Sequence, residues 1–144
     1  MIKVIAFDLN GVLFPTPRKI NQKVLAFVKE CKDLGYMTVA ASNASKGSFE
    51  WRSSEYSLMD VFDGRVISSD IGVRKPSKKF FEYMIEILGY LPREILFVDD
   101  SDTNIRSAKK LGIMCIKYEN EGSLDNIRKL LKNDRKKKSS GVDR

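Results

Sequence analysis

The chain contains no histidine. That absence removes Ser-His-Asp and Cys-His catalysis, histidine-based metal sites and the usual switch near neutral pH, and it leaves acid–base chemistry to carboxylates or Lys. Cysteine is scarce, with two in 144 residues. Cys31 and Cys115 each fall inside an apolar pattern, so both read as small buried hydrophobes with reduced thiols, neither a bridge nor a metal site. No apolar run approaches the ~20 residues of a membrane span, and no charged-then-apolar leader ending in small residues opens the chain. The expectation is a soluble, cytoplasmic protein with no membrane partner. The length fits one domain that buries roughly two thirds of its unfolded surface, which needs no disulfide or structural metal.

Positive charge is not spread along the chain either. The formal net charge is +7, yet residues 128–144 hold eight Lys/Arg against two Asp, and the remainder carries 18 against 17. The basic character belongs to the end, where Arg135-Lys136-Lys137-Lys138 leads into Ser139-Ser140-Gly141. A single domain over 1–131 and a basic, solvated, disordered tail over 132–144 are expected. Such a tail is also able to help hold nucleic acid or another polyanion.

What is present is alternation. Ile2–Phe7 is an almost uninterrupted apolar run that delivers Asp8 to the point where the chain must turn, and Gly11 there permits close backbone approach to a ligand. Ile20, Val24, Leu25, Phe27, Val28, Cys31 and Leu34 then recur with helical spacing until Gly35. Tyr36–Ala41 reads as a second strand ending at Ser42-Asn43. Residues 44–59 suggest a less regular helix whose Phe49, Trp51 and Tyr56 belong to the core. Val61–Ser68 holds a short third strand. Pro76 suits the first turn of a helix with the buried stripe Phe80, Phe81, Met84, Ile85 and Leu88, which sets Lys75 at its lip. Ile95–Val98 is a second wholly apolar strand, and it too ends in acid, Asp99-Asp100. A helix through Ile105, Ala108 and Leu111, a fifth strand at Ile113–Ile116 and a last helix capped by Ser123 complete the chain. The fold class expected is α/β, a parallel five-stranded sheet with helices on both faces, and ligands of such sheets bind at the carboxyl ends of the strands where the winding reverses.

Those ends carry Asp8 and Asn10, Ser42-Asn43, Lys75, and Asp99-Asp100. Three carboxylates packed together need a cation, and an all-oxygen site without His or Cys suits Mg²⁺. Magnesium with a hydroxyl and an ammonium describes a pocket for the phosphate of a phosphorylated substrate, with backbone N–H groups and Ser42 on its oxygens and Lys75 offsetting charge. A carboxylate facing phosphorus can attack it and split hydrolysis into formation and breakdown of an aspartyl phosphate.

Four segments resemble the motifs of the haloacid dehalogenase-like superfamily: Phe7-Asp8-Leu9-Asn10-Gly11-Val12-Leu13, Ser42-Asn43, Gly72-Val73-Arg74-Lys75-Pro76, and Phe97-Val98-Asp99-Asp100 followed by Asn104 and Ala108…Gly112-Ile113. The resemblance runs from Ile2 to about Tyr118 and implies the three-layer Rossmann-like core of that superfamily without room for a separate cap domain, so an open pocket. It also implies a phosphatase in which Asp8 is nucleophile and magnesium ligand, the Asn10 carbonyl and Asp100 complete the metal site with Asp99 near it, and Ser42, Asn43, Gly11 and Lys75 hold phosphate. Asn104 would orient the acids from behind.

Asn10 departs from that pattern. The family's phosphatases have Asp there, lending its carbonyl to magnesium and its side chain as general acid and then base. Asn keeps the carbonyl and loses the proton chemistry, typically ~10²–10⁴-fold in rate. A weak natural relative, an introduced Asp→Asn change and a different reaction class are all compatible with it. The superfamily's dehalogenases manage without that Asp but also without magnesium, which Asp99-Asp100 speaks against. Two readings remain: a magnesium-dependent phosphomonoester hydrolase impaired at Asn10, or a non-catalytic domain that binds phosphate or a partner.

Overall fold

The computed structural model describes residues 1–139. Five strands, β1 (Val4–Phe7), β2 (Met37–Ser42), β3 (Gly64–Ile67), β4 (Ile95–Asp99) and β5 (Met114–Lys117), form one parallel sheet in the order β3-β2-β1-β4-β5. Six helices connect or follow them: α1 (Gln22–Asp33), α2 (Lys46–Tyr56), α3 (Ser68–Ile71), α4 (Lys78–Leu88), α5 (Asp102–Lys109) and α6 (Gly122–Ser139).

The apolar runs explain the layers. Successive side chains of a strand point to opposite faces, so a strand covered on both sides must be apolar at every position. Ile5 and Phe7 of β1 join Leu96 and Val98 of β4 in one core with Val24, Phe27 and Val28 of α1, Phe49 of α2 and Leu124, Ile127 and Leu131 of α6. Val4 and Ala6 join Ile95 and Phe97 in a second core with Phe80, Phe81 and Met84 of α4 and Ile105 and Ala108 of α5. The result is the expected α/β arrangement of three layers. Because the chain steps outward from β1 through β2 to β3 and then crosses back to β4, the winding reverses between β1 and β4. Phe7 is in register with both Ala40 and Val98 there.

Several local expectations change. Pro76 lies outside α4, because Ser77 is the cap and its hydroxyl accepts from Lys79 N; a cis peptide joins Lys75 to Pro76. Ser123 does not cap α6 through its own helix. Its hydroxyl accepts from the N–H groups of Glu119 and Asn120, while Asn120 Oδ1 takes the first helical N–H, from Gly122. Phe49 is buried as expected, but Trp51 is 43 % exposed, since the α2 face that meets the core passes through Phe49 and Arg52.

The tail is corrected as well. Residues 132–139 continue α6 and do not form a disordered segment; residues 140–144 lie outside the described residues. Lys and Arg are good helix formers, and Asp134 and Arg135 reach partners elsewhere in the fold. Asp134 Oδ2 accepts from Ile2 N at 2.8 Å, and the Arg135 guanidinium lies 5.8 Å from the centre of the Tyr36 ring. Truncation after Leu131 should therefore leave a folded chain that is less stable by about 1–3 kcal/mol, the value of a hydrogen bond to a charged group with its packing. Urea denaturation of the two chains measures this; equal midpoints would show that the last turns of α6 contribute nothing.

Candidate active site

Asp8 is the first residue beyond β1, and its N–H donates to Val98 O at 2.9 Å, which keeps it level with the end of β4. A tight turn follows. Leu9 O accepts from Val12 N and Phe14 N, and Gly11 N donates to Phe14 O at 2.8 Å. Gly11 adopts φ +87°, and a Cβ there would overlap the carboxylate of Asp100. The glycine is needed for clearance. Its N–H is spent inside the turn, which removes it from the set of phosphate donors expected from the sequence.

Lys75 is the hub. Its ammonium, 5 % exposed as a residue, donates to Asp8 Oδ1 at 2.8 Å, Asp99 Oδ2 at 2.8 Å and Ala41 O at 2.9 Å. Those three bonds use its three hydrogens. Asn43 holds it there: the side-chain amide donates to Lys75 O and accepts from Lys75 N, at 2.9 and 2.8 Å. The Asn43 side chain thus positions Lys75, and what Asn43 can offer an anion is its backbone.

The two acids at the end of β4 differ. Asp99 is fully buried; besides Lys75 it accepts from Ser101 N at 2.9 Å and from Asn104 Nδ2 at 3.1 Å. Asn104 orients Asp99, the role that the resemblance implied. Asp100 is exposed. Carboxylate oxygens of Asp8, Asp99 and Asp100 all lie within 4.8 Å of one another. Burial pushes the Asp8 carboxyl up to about 7 against the pull of Lys75, with Asp99 and Asp100 adding to the rise. Burial and the neighbouring Asp99 also raise Asp100. One ammonium does not balance three clustered carboxylates, so the donor set fits a hard divalent cation such as Mg²⁺.

Ser42 ends β2 next to Ala41, whose carbonyl Lys75 engages. Its hydroxyl is fully buried and has no hydrogen-bond partner. A buried hydroxyl without a partner costs about 1–3 kcal/mol, and a site is where such a cost is tolerated.

Asn10 and Arg52 form a pair that the sequence did not announce. Arg52, on α2, is 4 % exposed; its Nη1 donates to Asn10 Oδ1 at 2.7 Å, its Nε to Pro17 O at 3.2 Å, and its guanidinium lies 4.4 Å from the centre of the Phe14 ring. Asn10 Nδ2 donates to Asn43 O at 3.3 Å. Both polar ends of the Asn10 side chain are used within the protein. Burial lowers the Arg52 guanidinium from its usual value and Asp8 raises it, which places a persistent positive charge near the nucleophile candidate.

Comparison with known proteins places the chain in a family. The family model for haloacid dehalogenase-like hydrolases matches residues 15–112. The chain belongs to that family. D-ribitol-5-phosphate phosphatase of Bacteroides thetaiotaomicron is 34 % identical over 91 residues, 59 % of this chain and 44 % of that protein. Bifunctional epoxide hydrolase 2 of Mus musculus is 26 % identical over 110 residues, 74 % of this chain and 20 % of that protein. The chain thus spans between a fifth and under half of the length of these relatives. A predicted HAD-like family hydrolase from Porphyromonas gingivalis superposes with a TM-score of 0.79 at 20 % identity, covering 91 % of this chain and 98 % of that one. A HAD family enzyme from Bacteroides thetaiotaomicron, solved with magnesium and inorganic phosphate, gives 0.70 at 18 % identity over 83 % of this chain and 95 % of that one. These two show the shared fold.

The Lys75 hub makes a measurable demand on stability. Lys75→Met leaves Asp8 and Asp99 buried without their cation, so it should destabilise the protein by about 3–5 kcal/mol in metal-free buffer. Urea unfolding against the parent checks this; a loss below about 1 kcal/mol would mean that water reaches both acids.

Proposed function

We propose that the chain is a magnesium-dependent phosphatase acting through an aspartyl phosphate on Asp8. The observation that supports this most is the cluster of Asp8, Asp99 and Asp100 around Lys75 at the β1/β4 reversal, beside the partnerless Ser42 hydroxyl. Asp8, the Asn10 carbonyl and Asp100 would hold the metal, with Asp99 behind them. The ion would neutralise the acids and the phosphoryl oxygens so that an anionic nucleophile can approach an anionic substrate.

The remaining work falls to the chain's own residues. Asp8 presents the attacking oxygen, Ser42 donates its hydroxyl to a phosphoryl oxygen, and Lys75 contributes charge from a position that Asn43 fixes. The names of two relatives, D-ribitol-5-phosphate phosphatase and a sesquiterpene phosphatase of Aspergillus oryzae, point to phosphorylated small molecules as the substrate class. One observation favours the second reading, a phosphate- or partner-binding domain: Asn10 holds no ionisable proton and is engaged at both ends.

Calorimetric titration with MgCl₂ tests the metal: Asp100→Ala should weaken binding by tenfold or more, about 1.4 kcal/mol. Asp8→Asn should abolish phosphoryl transfer to the chain, because it removes the attacking carboxylate oxygen. A parent that binds magnesium but takes no phosphoryl group from any donor would leave the binding-domain reading in its place.

A further inference from the structure

Hydrolysis of an ordinary alkyl phosphate needs a proton for the departing oxygen, since an alkoxide is too basic to leave unaided. The described residues around Asp8 provide none. In the reading above Asp8 is the nucleophile, Asp100 is taken up by the metal and the Ser42 hydroxyl by a phosphoryl oxygen; Asp99 is saturated by Lys75, Ser101 N and Asn104, and Lys75 spends its three hydrogens on Asp8, Asp99 and Ala41 O. Asn10 is no acid. Its amide cannot turn to serve a ligand without breaking its bonds to Arg52 and Asn43 O. Tyr56, the nearby phenol, donates to Arg18 O at 2.8 Å.

Beside the amide at position 10 lies the Arg52 guanidinium, held by three contacts: Asn10 Oδ1, Pro17 O and the face of Phe14. Arg52 also lines a cavity of about 330 Å³ with Pro17, Arg18, Ser48 and Trp51. That lining has two guanidinium groups and no acid, and Arg18 lies over the exposed Trp51 ring at 5.5 Å. A cavity of this charge, sharing a residue with the site, suits an anionic fragment.

Building on the phosphoryl-transfer reading above, we propose that the substrates are phosphoryl donors whose leaving group departs as a stable anion without being protonated, acyl phosphates foremost, and that Arg52 receives that anion. In the first step an Asp8 oxygen bonds to phosphorus. The bond from phosphorus to the acyl oxygen breaks, its electron pair stays with the carboxylate released, and no proton moves. In the second step a water oxygen bonds to phosphorus, the electron pair of the Asp8–phosphorus bond returns to the Asp8 carboxylate, and both water protons leave on dihydrogen phosphate. The second step has no general base at position 10. Aspartyl phosphate on Asp8 therefore accumulates.

The test mixes the full chain in MgCl₂ with acetyl phosphate, para-nitrophenyl phosphate, phenyl phosphate and glycerol phosphate. Intact-protein mass follows the phosphoryl adduct, and released inorganic phosphate follows turnover. Acetyl phosphate and para-nitrophenyl phosphate should label the chain in a burst, phenyl phosphate should be slower by about 10²-fold or more, and glycerol phosphate should not react. Arg52→Gln should slow labelling by acetyl phosphate on the order of 10²-fold, with partial recovery in Arg52→Lys. Rates indifferent to the leaving group would overturn the proposal while leaving the phosphatase reading intact, and an unchanged Arg52→Gln rate would remove Arg52 from it. No adduct with any donor in a magnesium-binding chain would overturn the reading beneath as well. Since Arg52 is buried, the comparison of the four donors on the unaltered chain decides the matter if its variants do not fold.

Discussion

The structure depends on one buried ammonium. Lys75 joins Asp8, from the end of β1, to Asp99, from the end of β4, at the line where the sheet's winding reverses. Two buried carboxylates this close would repel one another and lack solvation, so without the ammonium the two central strands could not end as they do. The surrounding contacts maintain that arrangement. Asn43 clasps the Lys75 backbone, Ala41 O takes its third hydrogen, and the Phe97 ring lies 5.5 Å from its nitrogen, itself stacked edgewise on Phe81 at 5.2 Å. Core and site are one construction here, because the aromatic packing that fills the space between β4 and α4 also supports the charge.

Much of this could be read from the sequence for a definite reason. Strands covered on both faces leave apolar runs that end abruptly, and the residues at those ends are forced to one edge of a parallel sheet. Asp8, Ser42 and Asp99-Asp100 were located by that rule, and Lys75 by its place at the N-terminal lip of the following helix. What the sequence hid were the partners. The resemblance implied Gly11 and Asn43 as phosphate ligands, but the Gly11 N–H is consumed by Phe14 O and the Asn43 side-chain amide by the Lys75 backbone. Arg52 gave no signal. A charge in an irregular, aromatic-rich helix reads as solvent-facing, and it is buried only because Phe14 and Pro17, more than thirty residues earlier, fold over it. The last turns of α6 were missed for a similar reason: they have no apolar periodicity, and their tie to Ile2 spans 132 residues.

The Asn10–Arg52 pair changes how the departure at position 10 should be understood. Judged alone, Asn for Asp is a loss of function by one atom. Beside Arg52 it is half of a matched arrangement, because a neutral amide oxygen accepts from the guanidinium without cancelling its charge. A carboxylate in that place would form an ion pair and spend the positive potential that now reaches Asp8 and the adjoining cavity.

The central position of β1 also fixes the order in which the site can come into being. β1 is made before the other four strands, yet it pairs with residues 37–40 on one side and 95–98 on the other. A ribosome adding residues in sequence has released Asp8 long before its partners exist. Asp8 then waits, with its strand half-paired, until residues 95–98 have been added. Contacts this distant in sequence slow folding and leave an apolar edge exposed meanwhile. β1 is thus among the last strands to be enclosed, and the cluster of Asp8, Asp99 and Asp100 cannot form until Asp100 has been made.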